Sequence, residues 1–319
     1  MNPNDKPPPR DYRRQVTDDI IRMLEEGTAP WQKPWKAGEA GGFPFNPTTQ
    51  KPYRGGNVLS LMIAGMRRGY SDPRWMTYRQ AAEKGWQVKK GEKAAQIEFW
   101  ESKSANKDGE DSEDEKRSRL IHRVYSVFNA EQIDGIPPLA VKKREPWEVC
   151  EAAERIMENS GADIRYGGGR AYYRKDTDHI QLPPRECFAD APGFYGTSTH
   201  ELIHWTGAEK RLNRPTLTQS KSYGDDSYAA EELRAEIGSM MLAAELGIPH
   251  DPSQHAAYVA SWIKSLKDDK NEVFKAAADA SKALDYVLAL ERERQAPALP
   301  GTHAQRIIDQ QSSQLAQFR

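Results

Sequence analysis

The segment Thr199-His200-Glu201-Leu202-Ile203-His204-Trp205 holds two imidazoles and a carboxylate at a spacing that suits a single cation. On a helix, at about 100° per residue, His200 and His204 fall about 40° apart and one turn apart, so both rings can reach the same point. Glu201 can face a water on that cation and act as its general base, the logic of the HExxH metallopeptidases. The plainer alternative is an amphipathic core helix whose two histidines are satisfied by backbone carbonyls.

A catalytic zinc takes three protein ligands and keeps one position open. The segment from Tyr228 to Leu242 offers a third ligand: Leu233, Ile237, Met240 and Met241 recur at helical spacing, and Glu232 and Glu236 lie one turn apart on one face. On this reading Glu232 binds the metal, while Glu236 accepts a hydrogen bond from the outer nitrogen of a ligand histidine and fixes its tautomer. The alternative makes Glu231, Glu232, Arg234 and Glu236 a solvated face, but two carboxylates stacked at this spacing repel unless a cation lies between them. Two imidazoles and one carboxylate favour Zn²⁺ and also suit Mn²⁺ or Fe²⁺. Tyr223 and Tyr228, between the two helices, can donate to a tetrahedral oxyanion or serve as structural tyrosines. His179, His250 and His255 lack ligand spacing, and His179 is expected on an edge strand beside the site.

These groups need elements to hold them. A helix is expected from about Asp11 to Glu26, closed by Gly27, with others over Val58–Met66 and Thr77–Lys84. Ala95–Trp100 and Leu120–Phe128 alternate like strands around a polar block, Ser102 to Ser118, which reads as a flexible loop within a long hairpin. A helix over about Glu148–Glu158, strands near Ile164–Tyr166, Ala171–Tyr173 and Ile180–Leu182, and two closing helices, Ala256–Lys267 and Asn271–Leu290, complete the pattern. The division is residues 1–134 as one domain, 135–144 as linker and 145–319 as a second domain, in the α+β class.

Composition fits two globular domains: the chain has 319 residues, 37% of them hydrophobic, and a net charge of −1. That balance hides an asymmetry. Residues 1–100 carry seventeen Lys or Arg against eleven Asp or Glu, so the first part is basic and suits a polyanion. Five tryptophans, Trp31, Trp35, Trp75, Trp86 and Trp100, are interleaved with cations there, a pattern that favours single-stranded over duplex DNA. Trp31 and Trp35, flanked by prolines, are the expected stacking platforms, with Arg54, Arg67, Arg68, Arg79, Lys89, Lys90 and Lys93 as phosphate contacts; at least half of the tryptophans are expected in the core. Two cysteines, Cys150 and Cys187, make no disulfide framework, and with no signal peptide apparent they point to the cytoplasm. No apolar run approaches the length of a membrane span.

The chain resembles the gluzincin metallopeptidases and, among them, the ArdC-type antirestriction proteins of conjugative plasmids. In the C-terminal half the resemblance rests on Ala171-Tyr172-Tyr173, Asp178 to Pro183, His200 to Gly207, Arg211-Leu212-Asn213-Arg214 and Tyr228 to Glu236. In the N-terminal half it rests on Pro30 to Trp35, Tyr53-Arg54-Gly55-Gly56-Asn57, Gln80-Ala81, Val88 to Lys93 and Val127-Phe128-Asn129. The resemblance implies a single-stranded-DNA-binding domain followed by a zincin-like metallopeptidase domain. Related gluzincins often carry Asp or Asn where this chain has Glu236, which leaves both Glu232 and Glu236 as candidates for the third ligand.

Two functions follow as expectations. One is an antirestriction protein that coats incoming single-stranded plasmid DNA in a bacterial recipient cell and so hinders host restriction. The other is a DNA-tethered zinc protease that cleaves a host protein. A structural DNA-binding module with a vestigial site is a third reading, opposed by the complete set of ligands and base.

Overall fold

The computed structural model describes residues 11–29, 31, 43–103, 119–139, 146–220, 226–248 and 258–295. Trp35, Tyr223 and positions 104–118 of the expected loop lie outside them. Helix α1 (Tyr12–Glu25) starts where the Asp11 side chain accepts from the Arg14 N–H and buries Ile20, Ile21, Met23 and Leu24 along one face. A short β1–β2 pair (Phe45–Asn46, Lys51–Pro52) leads into α2 (Gly56–Arg68), which Gly69 ends in the left-handed conformation. Strand β3 (Trp75–Thr77) runs straight into α3 (Tyr78–Glu83), where Thr77 and Gln80 cap each other reciprocally.

Strands β5 (Ala95–Lys103) and β6 (Arg119–Asn129) form a long antiparallel hairpin with β3 on the far side of β6, while β4 (Gln87–Val88) pairs with β7 (Ile133–Asp134). This leaves β5 as an edge. Asn57 covers part of it, its side chain accepting from the Glu98 N–H and donating to the Glu98 carbonyl, both at 2.8 Å.

The second half comprises α4 (Pro146–Ser160), β8 (Asp163–Tyr166), β9 (Tyr172–Arg174), β10 (His179–Leu182), α5 (Ala191–Thr206), α6 (Pro215–Thr218), α7 (Asp226–Leu246), α8 (Val259–Asp268) and α9 (Glu272–Gln295). The fold is α+β, as the sequence implies. Strand β10 is central, parallel to β8 and antiparallel to β9. The expectation for His179 is therefore corrected: it lies on the central strand and is buried, because the turn through Asp178, at φ 49°, folds β9 back along it as the outer strand.

Helices α1 and α2 share one continuous apolar core with the C-terminal helices, a cluster that joins Ile20, Leu24 and Val58 to Ala153, Leu202, Met240, Trp262, Val273 and Leu284. Polar contacts run along the same interface. Thr17 Oγ1 donates to the Lys270 carbonyl at 2.7 Å, Arg13 to Asn271 at 3.0 Å, and the Gly55 N–H to Ser281 Oγ at 2.8 Å. Among the described residues no helix is long and apolar enough to cross a membrane.

Helices α5 and α7 meet where Gly238 faces Ile203, and a Cβ at Gly238 would sit 2.8 Å from Ile203 Cγ2. In an isolated helix Gly→Ala gains about 1 kcal/mol, but overpacking a core costs about 1–3 kcal/mol. Gly238→Ala is therefore expected to lower stability, by roughly 1 kcal/mol, in urea denaturation followed by circular dichroism. A raised urea midpoint would show that the two helices are not in contact at this point.

Candidate metal centre

Helix α5 carries the histidine motif. Asp190 caps it by accepting from the Gly193 N–H at 2.8 Å, and Pro192 sits in the first turn, where a missing N–H costs nothing. Its second half is buried on all sides, Ser198 through Thr206 included. Two arginines from the following loop close the C-terminal end, Arg214 donating to the Ile203 carbonyl at 2.7 Å and Arg211 to the Trp205 carbonyl at 2.5 Å. The Arg211 guanidinium also lies 3.9 Å from the centre of the Trp205 ring and bonds Asp178, which ties the β9–β10 turn to the helix end.

Helix α7 packs across α5 and brings its carboxylates to the two imidazoles. His200 Nε2 is 3.4 Å from Glu232 Oε2, His204 Nε2 is 3.5 Å from Glu232 Oε1, and the two Nε2 atoms are 3.1 Å apart. One ligand atom from each of the three residues lies within 4.8 Å of the others, close enough for a shared ion, whose ligands at about 2.0–2.1 Å would stand roughly 3.3 Å apart. No other group of three described His, Cys, Asp or Glu residues gathers in this way. All three side chains are buried.

The outer nitrogens face two further acids. His200 Nδ1 lies 3.5 Å from Glu236 Oε1. His204 Nδ1 lies 3.2 Å from Glu231 Oε1, a residue to which the metal-binding reading of the sequence gave no role. Glu231 is buried and also accepts from Arg214 at 2.5 Å and from Thr216 Oγ1 at 2.5 Å. Burial alone would raise its pKa, but Arg214 and His204 outweigh that and hold it down at about 2. The signal that could have found it was the Glu231-Glu232 pair itself: residues about 100° apart on α7 both face the end of α5 when the contact is close.

Burial opposes charge on either imidazole, yet the surrounding carboxylates, Glu232 foremost, outweigh it and raise both His200 and His204. Glu232 is correspondingly lowered: burial would raise it, and the two histidines pull it down.

Around the triad lies a cavity of about 930 Å³, lined by Glu201, Thr197, Tyr228, Tyr258 and the edge strand β9 with its flanks. Glu201 is buried in the cavity wall beside both histidines. Tyr228 lines it too, its phenol held well above the ordinary tyrosine range by burial and by the nearby Glu232 charge. The sequence reading named neither Arg174 nor Lys175, which also line the cavity from β9 and the turn after it.

The DNA-directed residues are dispersed. Trp31 is 1% exposed, so the expectation that it offers a stacking face is corrected: its ring belongs to the core cluster that also holds Ile20, Leu24 and Val58. Arg68 donates to the Lys93 and Ala94 carbonyls at 2.6 and 3.1 Å, and Arg67 pairs with Asp19 at 2.7 Å. Lys89 donates to the Glu131 carbonyl at 2.8 Å, Lys90 is exposed, and Arg79 pairs with Glu83 at 2.8 Å. Arg54 stands apart, paired with Asp285 of α9 at 2.8 Å. Among the described residues the exposed aromatics are instead Tyr78, Phe99, Trp100 and Tyr166.

Raised histidine pKa values mean that a metal must displace protons from the same nitrogens, so affinity should fall as pH falls, beginning above the pH at which an ordinary histidine titrates. Calorimetric titration with Zn²⁺ or Mn²⁺ in buffers of different ionisation enthalpy should show proton release on binding. Glu231→Gln should weaken binding by about 10–100-fold by freeing the outer nitrogen of His204. Affinity independent of pH between mildly acid and neutral solution would contradict this electrostatic picture.

Two family models match the chain: the N-terminal domain of the anti-restriction factor ArdC over residues 10–128, and a zincin-like metallopeptidase over residues 151–279. A DNA primase TraC of Escherichia coli is 48% identical over 299 residues, which are 89% of this chain and 27% of that protein. The chain thus spans about a quarter of the length of that relative. An uncharacterized protein of Sinorhizobium fredii is 38% identical over 90% of this chain and 94% of its own length. Among solved structures, the antirestriction ArdC protein from the R388 plasmid is 38% identical, in a metal-free form (TM-score 0.72, 89% of this chain and 99% of that one) and a Mn(II)-bound form (TM-score 0.73, 90% and 100%). Similarity at that identity along nearly the whole of both chains means that this chain belongs to the ArdC family of antirestriction proteins.

Proposed function

We propose that the chain is an antirestriction factor that binds single-stranded DNA, protects incoming plasmid DNA from host restriction, and carries a working metallopeptidase centre. The observation that carries the catalytic part is the convergence of His200, His204 and Glu232, with one ligand atom of each within 4.8 Å of the others, on a cavity that Glu201 also lines. Zn²⁺ is the proposed ion, on the strength of two imidazoles and one carboxylate; the related protein holds Mn(II) in its crystal. DNA as partner is supported by the basic first part of the sequence and by the DNA primase name of two relatives.

In this reading His200, His204 and Glu232 are the ligands, and Glu236 and Glu231 orient the two rings. The bound ion would polarise a peptide carbonyl and acidify a water. Glu201 takes the proton from the attacking water and returns it to the leaving amine. Tyr228, whose phenol stays protonated through the working range, donates to the oxyanion. The outer edge of β9 supplies backbone groups that can align an extended peptide by strand addition. Tyr223, the other tyrosine singled out in the sequence, lies outside the described residues.

Coating DNA requires affinity rather than turnover, so protection and hydrolysis should separate. Glu201→Gln keeps all three ligands but removes the base: metal content and single-strand affinity should match wild type while peptide hydrolysis falls by a factor on the order of 10² or more. Protection of transferred plasmid DNA in a restricting recipient should persist. Loss of protection with DNA affinity intact would favour the second reading, a DNA-tethered protease acting on a host protein, for which the presence of Glu201 in the cavity is the supporting observation.

A further inference from the structure

A second cleft, about 480 Å³, opens between β5, the start of α2 and the first turns of α9, far along the sequence from the histidine motif. Its size lies within the range of about 300–1,000 Å³ common to small-ligand sites. Trp100 stands on one wall and is 49% exposed, whereas Trp31, Trp75, Trp205 and Trp262 are buried. An indole left half in water beside a cavity offers aromatic surface for contact with a base. It is also braced. The His122 ring lies 4.6 Å from it, and the Arg13 guanidinium stands 5.7 Å from its centre and 4.8 Å from that of Phe274. Arg13 is in turn fixed by Glu98, at 2.7 and 2.8 Å, and by Asn271.

Gly56 lets Phe274 form the floor. A Cβ there would lie 2.3 Å from the Phe274 ring, so the aromatic can approach the α2 backbone only because the side chain is absent.

The walls carry Arg13, Arg54, Lys275 and Lys282 against two carboxylates, Glu98 and Asp285, which Arg13 and Arg54 already engage. Lys275 and Lys282 reach to Asp269 and Asp279 in exposed ion pairs, which contribute little and yield readily to a phosphate. We propose that this cleft is a single-stranded-DNA site in which a base stacks on Trp100 while neighbouring phosphates meet Arg54, Lys275 and Lys282. An aromatic platform set among exposed cations is the chemistry that holds single strands without sequence preference. The inference rests on the reading of the chain as a single-strand binder and adds that helix α9, far from the basic N-terminal part of the sequence, supplies one side of the site.

The test uses the full chain and a fluorescent oligothymidylate, with anisotropy read across a salt series. Trp100→Ala should weaken binding roughly tenfold, the loss of one stacked base. Lys275→Glu with Lys282→Glu should weaken it further at low salt and flatten the slope of log affinity on log salt by about 0.7 for each phosphate no longer neutralised. Lys267→Glu, an exposed lysine on α8 outside the cleft, should change little. Ultraviolet cross-linking to a bromodeoxyuridine strand should mark the peptide containing Trp100. Wild-type chain that binds the strand while Trp100→Ala and the double lysine variant stay within about twofold of it overturns the cleft and leaves single-strand binding standing. Wild-type chain that binds no single strand overturns the reading on which the cleft rests, and the cleft with it.

Discussion

Three carboxylates on one helix, Glu231, Glu232 and Glu236, are buried against two buried histidines. A low-dielectric interior tolerates such charges only when cations are placed among them. Arg214 answers Glu231, and the imidazoles answer Glu232 and Glu236. The centre of the triangle remains the point where added positive charge is most favourable. An ion of charge +2 bound there would compete with protons for His200 and His204 and answer the same carboxylates, so metal binding and the packing of α5 on α7 draw on the same electrostatic interaction.

Arginines convert this local demand into architecture. Arg214 touches Glu231, Thr206 and the last carbonyls of α5, so the orientation of His204 and the end of its helix are set by one side chain. Arg211 performs the parallel task for the β9–β10 turn. Arg234, between Glu232 and Glu236 in sequence, points the other way and pairs with Glu272 and Asp279 of α9 at 2.8 and 2.9 Å. Helix α9 in turn presses Phe274 onto Gly56 of α2. A chain of packed and charged side chains therefore runs from the metal centre to the proposed nucleic-acid cleft through α7 and α9. In a well-packed interior such groups do not shift independently of one another.

What could be read from the sequence follows from how local each signal is. His200, Glu201 and His204 were legible because one helical turn fixes their geometry, and Glu232 with Glu236 for the same reason. Helix and strand positions such as those of α1, α3, α7 and the β5–β6 hairpin also followed from spacing and caps. Glu231 was missed: the adjacent Glu231-Glu232 pair is a signal only once the helix crossing is known, and nothing within Tyr228 to Leu242 encodes the crossing. The placement of β9 rather than β10 at the sheet edge depends on strand order, which the alternation of apolar residues leaves open. Trp31 misled because flanking prolines argue against helix, not against burial. Trp100 belongs to a strand whose two faces differ only in what α9 leaves uncovered, a contact of high sequence separation.

Family membership motivates the proposed antirestriction role, and the proposed ligands and base add a proposed hydrolytic one. Every further step, from the acidity of a bound water to the role of Glu201, depends on one ion sitting among these particular side chains. Anomalous diffraction from crystals grown with Zn²⁺ or Mn²⁺ tests this most directly. One strong anomalous peak is expected about 2.0–2.2 Å from His200 Nε2, His204 Nε2 and a Glu232 carboxylate oxygen, with Glu236 and Glu231 on the far sides of the rings. A peak coordinated by Glu236 in place of Glu232, or no peak between the two histidines at saturating metal, would contradict it.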